Sequence, residues 1–161
     1  MKTRILFAAT VLVIIGVASV GILYYFFPSL IAPNGDDQNL QEFNFEQWFS
    51  NPTQYNGTEI TIEGYYFNGF EINILSEKLV YSGNALGHLT PTGRMIWIEG
   101  NIPKEIYDSL YRQEMMGPTE RYGQIRIKGK FECGGKYGHL GQYDYQIIPS
   151  EVWLLAWTPP Q

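Results

Sequence analysis

The stretch Tyr122–Ile148, YGQIRIKGKFECGGKYGHLGQYDYQII, decides the fold of this chain. Apolar and polar residues alternate over 124–133, which is the period of a strand with one buried face. Gly134-Gly135 interrupts the alternation, and a second run begins at residue 143. The pattern predicts two strands joined by a glycine-rich loop, and we expect this hairpin to close a small β-barrel.

An earlier segment repeats the pattern of this hairpin. Ile60–Tyr66 (ITIEGYY) matches Ile125–Phe131 (IRIKGKF) in its alternating apolar residues and in its central glycine. Glycine weakens a strand unless the backbone bends or is closely approached there. Strands that close a small barrel need such bends, so we expect Gly64 and Gly129 to be bending points.

The remaining patterns complete a mainly β domain. They predict a helix over 44–49, strands over 59–67, 71–75 and 95–99, a loop over 82–93, a helix over 103–113 and a last strand over 143–155. Pro149 interrupts the last strand, where we expect a bulge or an edge position. The order predicts a five-stranded Greek-key barrel with a helix between its third and fourth strands.

The first part of the chain is apolar. Residues 5–27 contain no charged residue, and about 20 apolar residues suffice to span a bilayer. Lys2 and Arg4 precede the run while acidic residues follow it, so we predict a single-pass anchor in the cell membrane with an extracytoplasmic C-terminal domain. A cleaved signal peptide is the alternative. Residues 28–43 are then a polar linker, and 44–157 are the domain.

Charge and cysteine content exclude several function classes. All 16 acidic residues but only nine of the 11 basic residues lie beyond residue 27, which leaves a net charge of −7 there. Nucleic-acid binding is therefore disfavoured, because its affinity comes largely from neutralising phosphates. Cys133 is the single cysteine, so the domain contains no internal disulfide, and we expect an inert core thiol.

The usual signatures of catalysis are missing from the chain. It contains no phosphate-binding loop, no Cys-x-x-Cys, no His-Glu-x-x-His and no Gly-x-Ser-x-Gly. A nucleophile needs an adjacent base that is held by a third group, and two histidines in glycine-rich loops offer little for this. We therefore expect a non-catalytic protein without a cofactor.

The two histidines are candidate binding residues. His88 and His139 each lie in a Gly-His-Leu sequence, and in the predicted barrel their loops lie at the same end. One interpretation is that each imidazole hydrogen-bonds the backbone of its own loop. The other is a shared ligand or metal site, although zinc requires three or four ligands. Glu132, Asp144 or Tyr143 would then have to contribute.

Two further groups are candidates for binding. Arg126, Lys128 and Lys130 share the outward face of one predicted strand. Such a row is typical of a solvated or edge-protecting face, and the alternative is a binding site for an anionic partner, such as lipid head groups, an acidic protein or a polysaccharide.

Aromatic residues form the second of these groups. Most of them are expected in the core, but Tyr65 and Phe70 are predicted to face solvent, and Trp97 lies in the third strand. Exposed aromatic rings on a barrel face can stack on bases or sugars.

The sequence resembles a known family at its first strand. NPTQYNGTEITIEGYYFNG (51–69) is similar to the opening of small exported domains of the tRNA-anticodon-like OB-fold superfamily. The resemblance implies an OB-fold, whose second and third strands bind ligands together with the flanking loops. The predicted anchor, the exported domain and the missing catalytic signatures together lead us to expect a membrane-anchored binding or assembly module, with a protein partner or an anionic ligand. The ligand stays open, because the superfamily binds nucleic acids, sugars, peptides, haem and proteins.

A shorter resemblance suggests an alternative function. His139-Leu140-Gly141-Gln142-Tyr143 is similar to the His-x-x-x-Tyr segment of the cytochrome c maturation haem chaperone, which also has an N-terminal anchor and an exported OB domain. In the chaperone the segment follows the last strand, whereas here it precedes that strand. The resemblance implies a cofactor- or metal-handling protein in which His139 and Tyr143 contact the cofactor.

Overall fold

A computed structural model of the chain describes residues 45–114 and 117–160. The predicted membrane anchor (5–27) and linker (28–43) lie outside these residues, as does Asn44, the predicted first residue of the short helix. Within the part that is described, no helix has both the length and the apolar character needed to cross a bilayer.

The described residues form a mainly β domain, as the sequence predicts. In chain order its elements are α1 (Phe45–Ser50), a 3-10 helix (Pro52–Tyr55), β1 (Glu59–Gly69), β2 (Ile72–Tyr81), β3 (Leu89–Ile98), α2 (Lys104–Ser109), β4 (Tyr111–Gln113), β5 (Glu120–Tyr137), a second 3-10 helix (His139–Gly141) and β6 (Tyr143–Leu154).

The strands form one sheet that closes on itself. Their order is β1-β2-β3-β6-β5-β4, and β1 also pairs with β5, so that five strands form a ring. Every pairing is antiparallel except that between β3 and β6, which is parallel and joins only Trp97 to Gln146 and Ile98 to Ile147. We call the β3–β6 pairing the seam. It joins fewer residues than any other pairing in the ring.

Some predicted boundaries are wrong because pairing between strands overrides local pattern. The helix predicted over 103–113 ends at Ser109, and Tyr111–Gln113 pairs with β5 instead. Residues 89–93, predicted to be part of a loop, form the first half of β3 opposite β2. Gly134-Gly135 does not end β5, which continues to Tyr137 through a register shift.

The main core fills the inside of the ring. Side chains that alternate along β1, β5 and the neighbouring strands point inward, and α1 and the α2 region contribute apolar residues to the same cluster. Its buried members are Phe45, Trp48, Ile60, Ile62, Tyr66, Leu75, Ile96, Ile98, Ile102, Leu110, Ile125, Ile127, Phe131 and Ile147. Because the chain has no disulfide, this burial is the main source of the domain's stability.

The two strand glycines, which the sequence predicts to be bending points, are positions of close approach. A Cβ on Gly64 would lie 2.7 Å from the Phe45 ring and 2.9 Å from the Ser76 carbonyl oxygen. A Cβ on Gly129 would lie 2.3 Å from the Ile148 carbonyl oxygen. The register between β5 and β6 shifts beside Gly129, at Pro149, which confirms the predicted bulge.

A second apolar cluster lies on the outer face of the sheet. Phe67 belongs to it while its neighbour Tyr66 belongs to the main core, since successive strand residues point to opposite faces. Its buried members are Phe67, Ile74, Leu89 and Tyr122, and Ile72, Leu79, Met95, Trp97, Tyr143 and Trp157 pack against them. This outer layer supports the site described next.

Candidate functional site

The loops after β1 and after β5 meet on the outer side of the sheet. His139 Nε2 lies 3.0 Å from Glu71 Oε2, and both side chains are partly exposed, at 34% and 46%. We call Phe70, Glu71 and residues 138–142 the loop junction. The ion pair joins two segments that are far apart in sequence but adjacent in the fold.

Two residues of the loop junction hold a backbone conformation that their side chains disfavour. Glu71 has φ +58° and Leu140 has φ +53°, and they alone among the described non-glycine residues have positive φ. Such conformations cost free energy and persist where the surrounding structure imposes them, often at functional sites. Both of the described non-glycine residues with an unfavourable backbone conformation therefore lie in the loop junction.

The loop junction also exposes large apolar side chains. Phe70 is 70% exposed, which confirms the prediction that it faces solvent, and Leu140 is 81% exposed. Phe70 directly precedes Glu71, and Leu140 is itself one of the two residues with positive φ. Exposed apolar side chains on loops that a sheet supports are typical of a binding surface.

Trp97 and Tyr143 lie beneath the loop junction. Their ring centroids are 5.4 Å apart, and Trp97 Nε1 donates a hydrogen bond of 3.0 Å to Glu99. Gly138 packs directly on them, because a Cβ there would lie 2.6 Å from Trp97 and 2.7 Å from Tyr143. Burial raises the pKa of the Tyr143 hydroxyl, so this group is a hydrogen-bond donor at neutral pH.

The structure thus brings together four of the predicted site residues. Phe70, Trp97, His139 and Tyr143 come from separate segments of the chain and gather at or under the loop junction. Sequence reasoning missed Glu71 and Leu140. Neither has a signal in the sequence, because a positive φ is normally expected at Gly, Asn or Asp.

Tyr65 lies elsewhere and is half-buried. Its ring packs edge-on against Trp157, with centroids 5.3 Å apart. The prediction that it faces solvent is therefore only partly correct, because the segment after β6 covers the outer face of β1.

The basic row on β5 is neutralised by neighbouring carboxylates. Arg126 pairs with Glu63 at 2.5 Å, and Lys130 pairs with Glu132 at 2.7 Å. Lys128 lies 3.2 Å from Glu59 and 3.3 Å from Glu151. Hydrogen bonds to these carboxylates raise the pKa of Lys128 and Lys130. Four carboxylates thus surround three basic groups, and the row offers no excess positive charge to an anionic ligand.

His88 belongs to a different polar cluster, between the β2–β3 loop and the start of β5. Its Nδ1 lies 3.0 Å from Ser82 Oγ and its Nε2 lies 3.0 Å from Glu120 Oε2. Gln113 Nε2 donates to the same Glu120 oxygen at 2.7 Å. Both imidazoles therefore contact side chains and not the backbone of their own loops. Ser82, Gln113 and Glu120 were not predicted, since only tertiary folding brings them together.

The described residues contain no group of three or more His, Cys, Asp and Glu side chains arranged to hold a metal ion. His88 and His139 instead contact two different carboxylates, those of Glu120 and Glu71. Chemically, the loop junction offers apolar contact, one ion pair and aromatic rings.

Comparison with known proteins identifies no relative of this chain. No protein-family model matches the chain. No curated protein and no solved structure matches it either.

Proposed function

We propose that this chain is a membrane-anchored, extracytoplasmic binding or assembly module with an OB-fold, and that the loop junction binds its partner. The ring of five strands, with a helix after β3, supports the OB-fold, which is a five-stranded Greek-key barrel. OB-folds bind ligands on strands two and three and on two flanking loops. Trp97 on β3 and the loops after β1 and β5 correspond to that surface.

One observation carries this proposal. Phe70, Trp97, His139 and Tyr143 are candidates from the sequence, and they gather in one place although they lie as far as 73 positions apart. The same place holds the two strained residues and two highly exposed apolar side chains. If the loops had only a structural role, glycine at Glu71 and Leu140 would relieve the unfavourable φ, and a polar residue at Phe70 would avoid exposing an apolar ring.

A protein is the partner class that fits this surface best. Exposed Phe and Leu side chains with aromatic rings beneath them resemble the apolar centre of a protein–protein interface. An anionic ligand is less suitable, because the basic row on β5 is already paired with carboxylates. The net charge of −7 beyond the anchor also disfavours nucleic acid.

Photo-crosslinking tests the loop junction as the contact surface. We would introduce a photoreactive amino acid at Phe70 or at Leu140 of the full-length chain in native membranes. Leu86 is the matched control, since it is fully exposed but belongs to the β2–β3 loop and not to the loop junction. We expect a discrete crosslinked product from positions 70 and 140 and none from position 86. Equal products at all three positions, or none at all, would contradict the proposal.

Membrane extraction tests the anchor separately. We expect the full-length chain to stay in the membrane pellet after alkaline carbonate treatment, and a variant without residues 1–27 to be released. Protease added to intact cells or spheroplasts should digest the domain from outside. Protection of the domain in that assay would refute the extracytoplasmic orientation without affecting the crosslinking result.

Haem handling is the second candidate function, because His139 and Tyr143 lie at the same site beside exposed apolar groups. His139 would have to leave Glu71 in order to bind iron. Adding haem to the purified full-length chain in detergent should then produce a shifted Soret band that His139→Gln loses. An unshifted spectrum would remove this candidate and leave the binding module intact.

A further inference from the structure

The cluster around His88 has the arrangement of an activated serine. Ser82 Oγ lies 3.0 Å from His88 Nδ1, and Glu120 Oε2 lies 3.0 Å from His88 Nε2. A nucleophile, a base and an orienting carboxylate in hydrogen-bond reach of one another form the general triad of nucleophilic catalysis. The three residues come from the β2–β3 loop and the start of β5 and share no residue with the loop junction.

Hydrogen bonding fixes the tautomer of His88. A carboxylate only accepts hydrogen bonds, so Glu120 requires a proton on Nε2. In the neutral imidazole, Nδ1 then carries the lone pair and faces the Ser82 hydroxyl, which donates to it. Gln113 Nε2 does not compete, because it donates to Glu120 at 2.7 Å and to the Leu89 carbonyl oxygen at 2.7 Å. His88 is thus held in the form in which it can accept the serine proton.

The base is buried while the nucleophile is partly open to solvent. The His88 side chain is 7% exposed and that of Glu120 is 22% exposed, whereas Ser82 has intermediate exposure. Gln113 also accepts a 3.0 Å hydrogen bond from the Leu89 main chain, next to the imidazole. Such packing fixes the ring orientation, which is what a catalytic base requires.

An open groove lies beside Ser82. It has a volume of about 820 Å³ and is lined by Tyr81, residues 83–87 and Pro160. Gly83 and Gly87 both have φ +74°, and a Cβ on either would meet nothing within 4 Å. Ser82 itself does not line the groove, but its neighbours Tyr81 and Gly83 do, and the lining includes the apolar side chains of Tyr81, Ala85 and Leu86.

We propose that Ser82, His88 and Glu120 form an acyl-transfer site that hydrolyses carboxylic esters with an apolar acyl group. Ser82 Oγ attacks the carbonyl carbon while its proton passes to His88 Nδ1. The bond to the alcohol oxygen then breaks, and Nδ1–H returns the proton to that oxygen as the alcohol leaves. Water attacks the acyl-serine through the same base, which releases the acid and restores the serine hydroxyl.

The remaining groups have positioning roles. Glu120 stabilises the imidazolium that forms during proton transfer, and Gln113 holds Glu120 in place. The Asn84 main-chain N–H donates a 3.2 Å hydrogen bond to Ser82 Oγ and so helps to orient the hydroxyl towards His88. This inference goes beyond the proposed binding function and does not depend on it.

Covalent labelling tests the nucleophile. The full-length chain in detergent is treated with a fluorophosphonate probe, and the adduct is located by peptide mass spectrometry. We expect one adduct, at Ser82, that Ser82→Ala abolishes and His88→Asn reduces by about 10²-fold in rate, the scale of general-base catalysis. Ser150→Ala is the matched control, because Ser150 is an exposed serine bonded to Glu59 and the backbone rather than to a histidine. It should label as the unmodified chain does.

Turnover distinguishes catalysis from a structural role of the cluster. Hydrolysis of p-nitrophenyl acetate should exceed that of Ser82→Ala, and Glu120→Gln should lower the rate while Glu120→Asp partly restores it. Thermal unfolding of each variant shows whether the fold is kept. A folded, unmodified chain that gives no adduct at Ser82 and no turnover above the Ser82→Ala level would overturn the proposal.

A second variant keeps the test decisive if Ser82→Ala does not fold. Ser82→Cys in a Cys133→Ala background retains a hydrogen-bonding group beside His88. The thiol should react with iodoacetamide at a pH well below the ordinary thiol pKa of about 8.5, because His88 and Glu120 stabilise the thiolate–imidazolium pair. An ordinary pH profile for this alkylation would show that His88 does not act as a base.

Discussion

At the scale of single residues, Leu140 shows a conflict between stability and binding. Its backbone has φ +53°, and 81% of its side chain is exposed. A left-handed conformation costs a non-glycine residue roughly 1–2 kcal/mol. We therefore expect Leu140→Gly to raise the free energy of unfolding by about 0.5–1 kcal/mol while it weakens crosslinking at the loop junction. Urea denaturation and crosslinking from position 70 measure the two effects.

The control for this prediction is Leu86→Gly. Leu86 is also fully exposed, but its φ is not positive, so the substitution should not stabilise the domain and should leave crosslinking from position 70 unchanged. If both variants changed stability in the same direction and by the same amount, strain at Leu140 would not be the cause.

Gly129 gives a second prediction at this scale. A Cβ there would lie 2.3 Å from the Ile148 carbonyl oxygen and 2.9 Å from its carbonyl carbon. Since both atoms are backbone atoms in the adjacent strand, the clash cannot be relieved by a side-chain rotation. We expect Gly129→Ala to lower the free energy of unfolding by about 3 kcal/mol or more, as measured by urea denaturation.

Gly117→Ala is its counterpart, because a Cβ on Gly117 would meet nothing within 4 Å and no positive φ is required there. This variant should unfold at nearly the same urea concentration as the unmodified chain. A mild effect at Gly129, comparable to that at Gly117, would mean that the two strands are not in the described register.

The sequence predicted some residues well for a physical reason. Gly64 and Gly129 each interrupt a strand pattern, and an interrupting glycine has few explanations other than a bend or a close approach. The strain at Glu71 and Leu140 was not predictable, because their side chains favour negative φ. Both residues lie beside the ion pair between Glu71 and His139, which only tertiary folding creates.

At the scale of elements, the bulge in β2 connects the sheet to α1. Arg94 Nε lies 2.9 Å from Glu77 Oε2 and Arg94 Nη2 lies 3.3 Å from Glu77 Oε1. The guanidinium also lies over the Phe49 ring, 5.2 Å from its centroid. The register of β2 against β3 shifts at this point. The Arg94 guanidinium therefore contacts both the bulge residue Glu77 and Phe49 of α1, and so fixes the position of the helix relative to the bulge.

This contact makes part of the stability depend on pH. Hydrogen bonds from Arg94 hold the pKa of Glu77 below its ordinary value. A depressed carboxyl pKa contributes stability above the unfolded pKa of about 4.3, and this contribution is lost as the pH falls through the lower folded value. We expect Glu77→Gln to lower the free energy of unfolding at pH 7 by about 1 kcal/mol, and this difference to shrink as the pH falls from about 5 towards 3.

Urea titrations at several pH values check this prediction, with the exposed Glu114→Gln as the matched variant. Glu114→Gln should stay close to the unmodified chain at every pH. A constant difference between Glu77→Gln and the unmodified chain from pH 7 to pH 3 would mean that the charge of Glu77 contributes nothing.

Element boundaries were less predictable than element types. The apolar alternation identified β1 and most of β5, because these strands have one face in the core. The pattern over 103–113 suggested one helix, yet Tyr111–Gln113 joins the sheet because β5 offers a free edge there. Likewise, the first half of β3 is a strand through its pairing with β2. The residue types in a segment do not indicate which strand it will pair with.

At the scale of the whole molecule, the sequence predicted a closed, mainly β domain but not the site it builds. The mainly β character follows from the hydrophobic period, which is a local signal, whereas the structure has six strands instead of the predicted five because Tyr111–Gln113 pairs with β5. The meeting of Glu71 with His139, and of Ser82, His88 and Glu120, depends on ring closure, which joins segments from both halves of the domain. Closure itself depends on the short parallel seam between β3 and β6.

Asn73 strengthens that seam from the adjacent strand. Its Nδ2 donates to the carbonyl oxygens of Ile98 (2.8 Å) and Gly100 (2.9 Å), and its Oδ1 accepts a 2.8 Å hydrogen bond from Tyr66. Burial raises the pKa of Tyr66, so its hydroxyl remains a donor that needs this acceptor. The Asn73 side-chain amide therefore provides hydrogen-bond partners for two carbonyl oxygens and one hydroxyl at the end of β3, beside the shortest pairing of the ring.

We expect Asn73→Ala to lower the free energy of unfolding by about 2–3 kcal/mol, because it leaves these partly buried groups without their partner. Amide hydrogen exchange should accelerate most at residues 97–99 and 146–147, on the two sides of the seam, before it does so elsewhere in the sheet. The exposed Asn101→Ala serves as the control and should change neither quantity. If exchange in Asn73→Ala rose evenly over all strands, or if the seam stayed protected, the closure of the ring would not depend on this side chain.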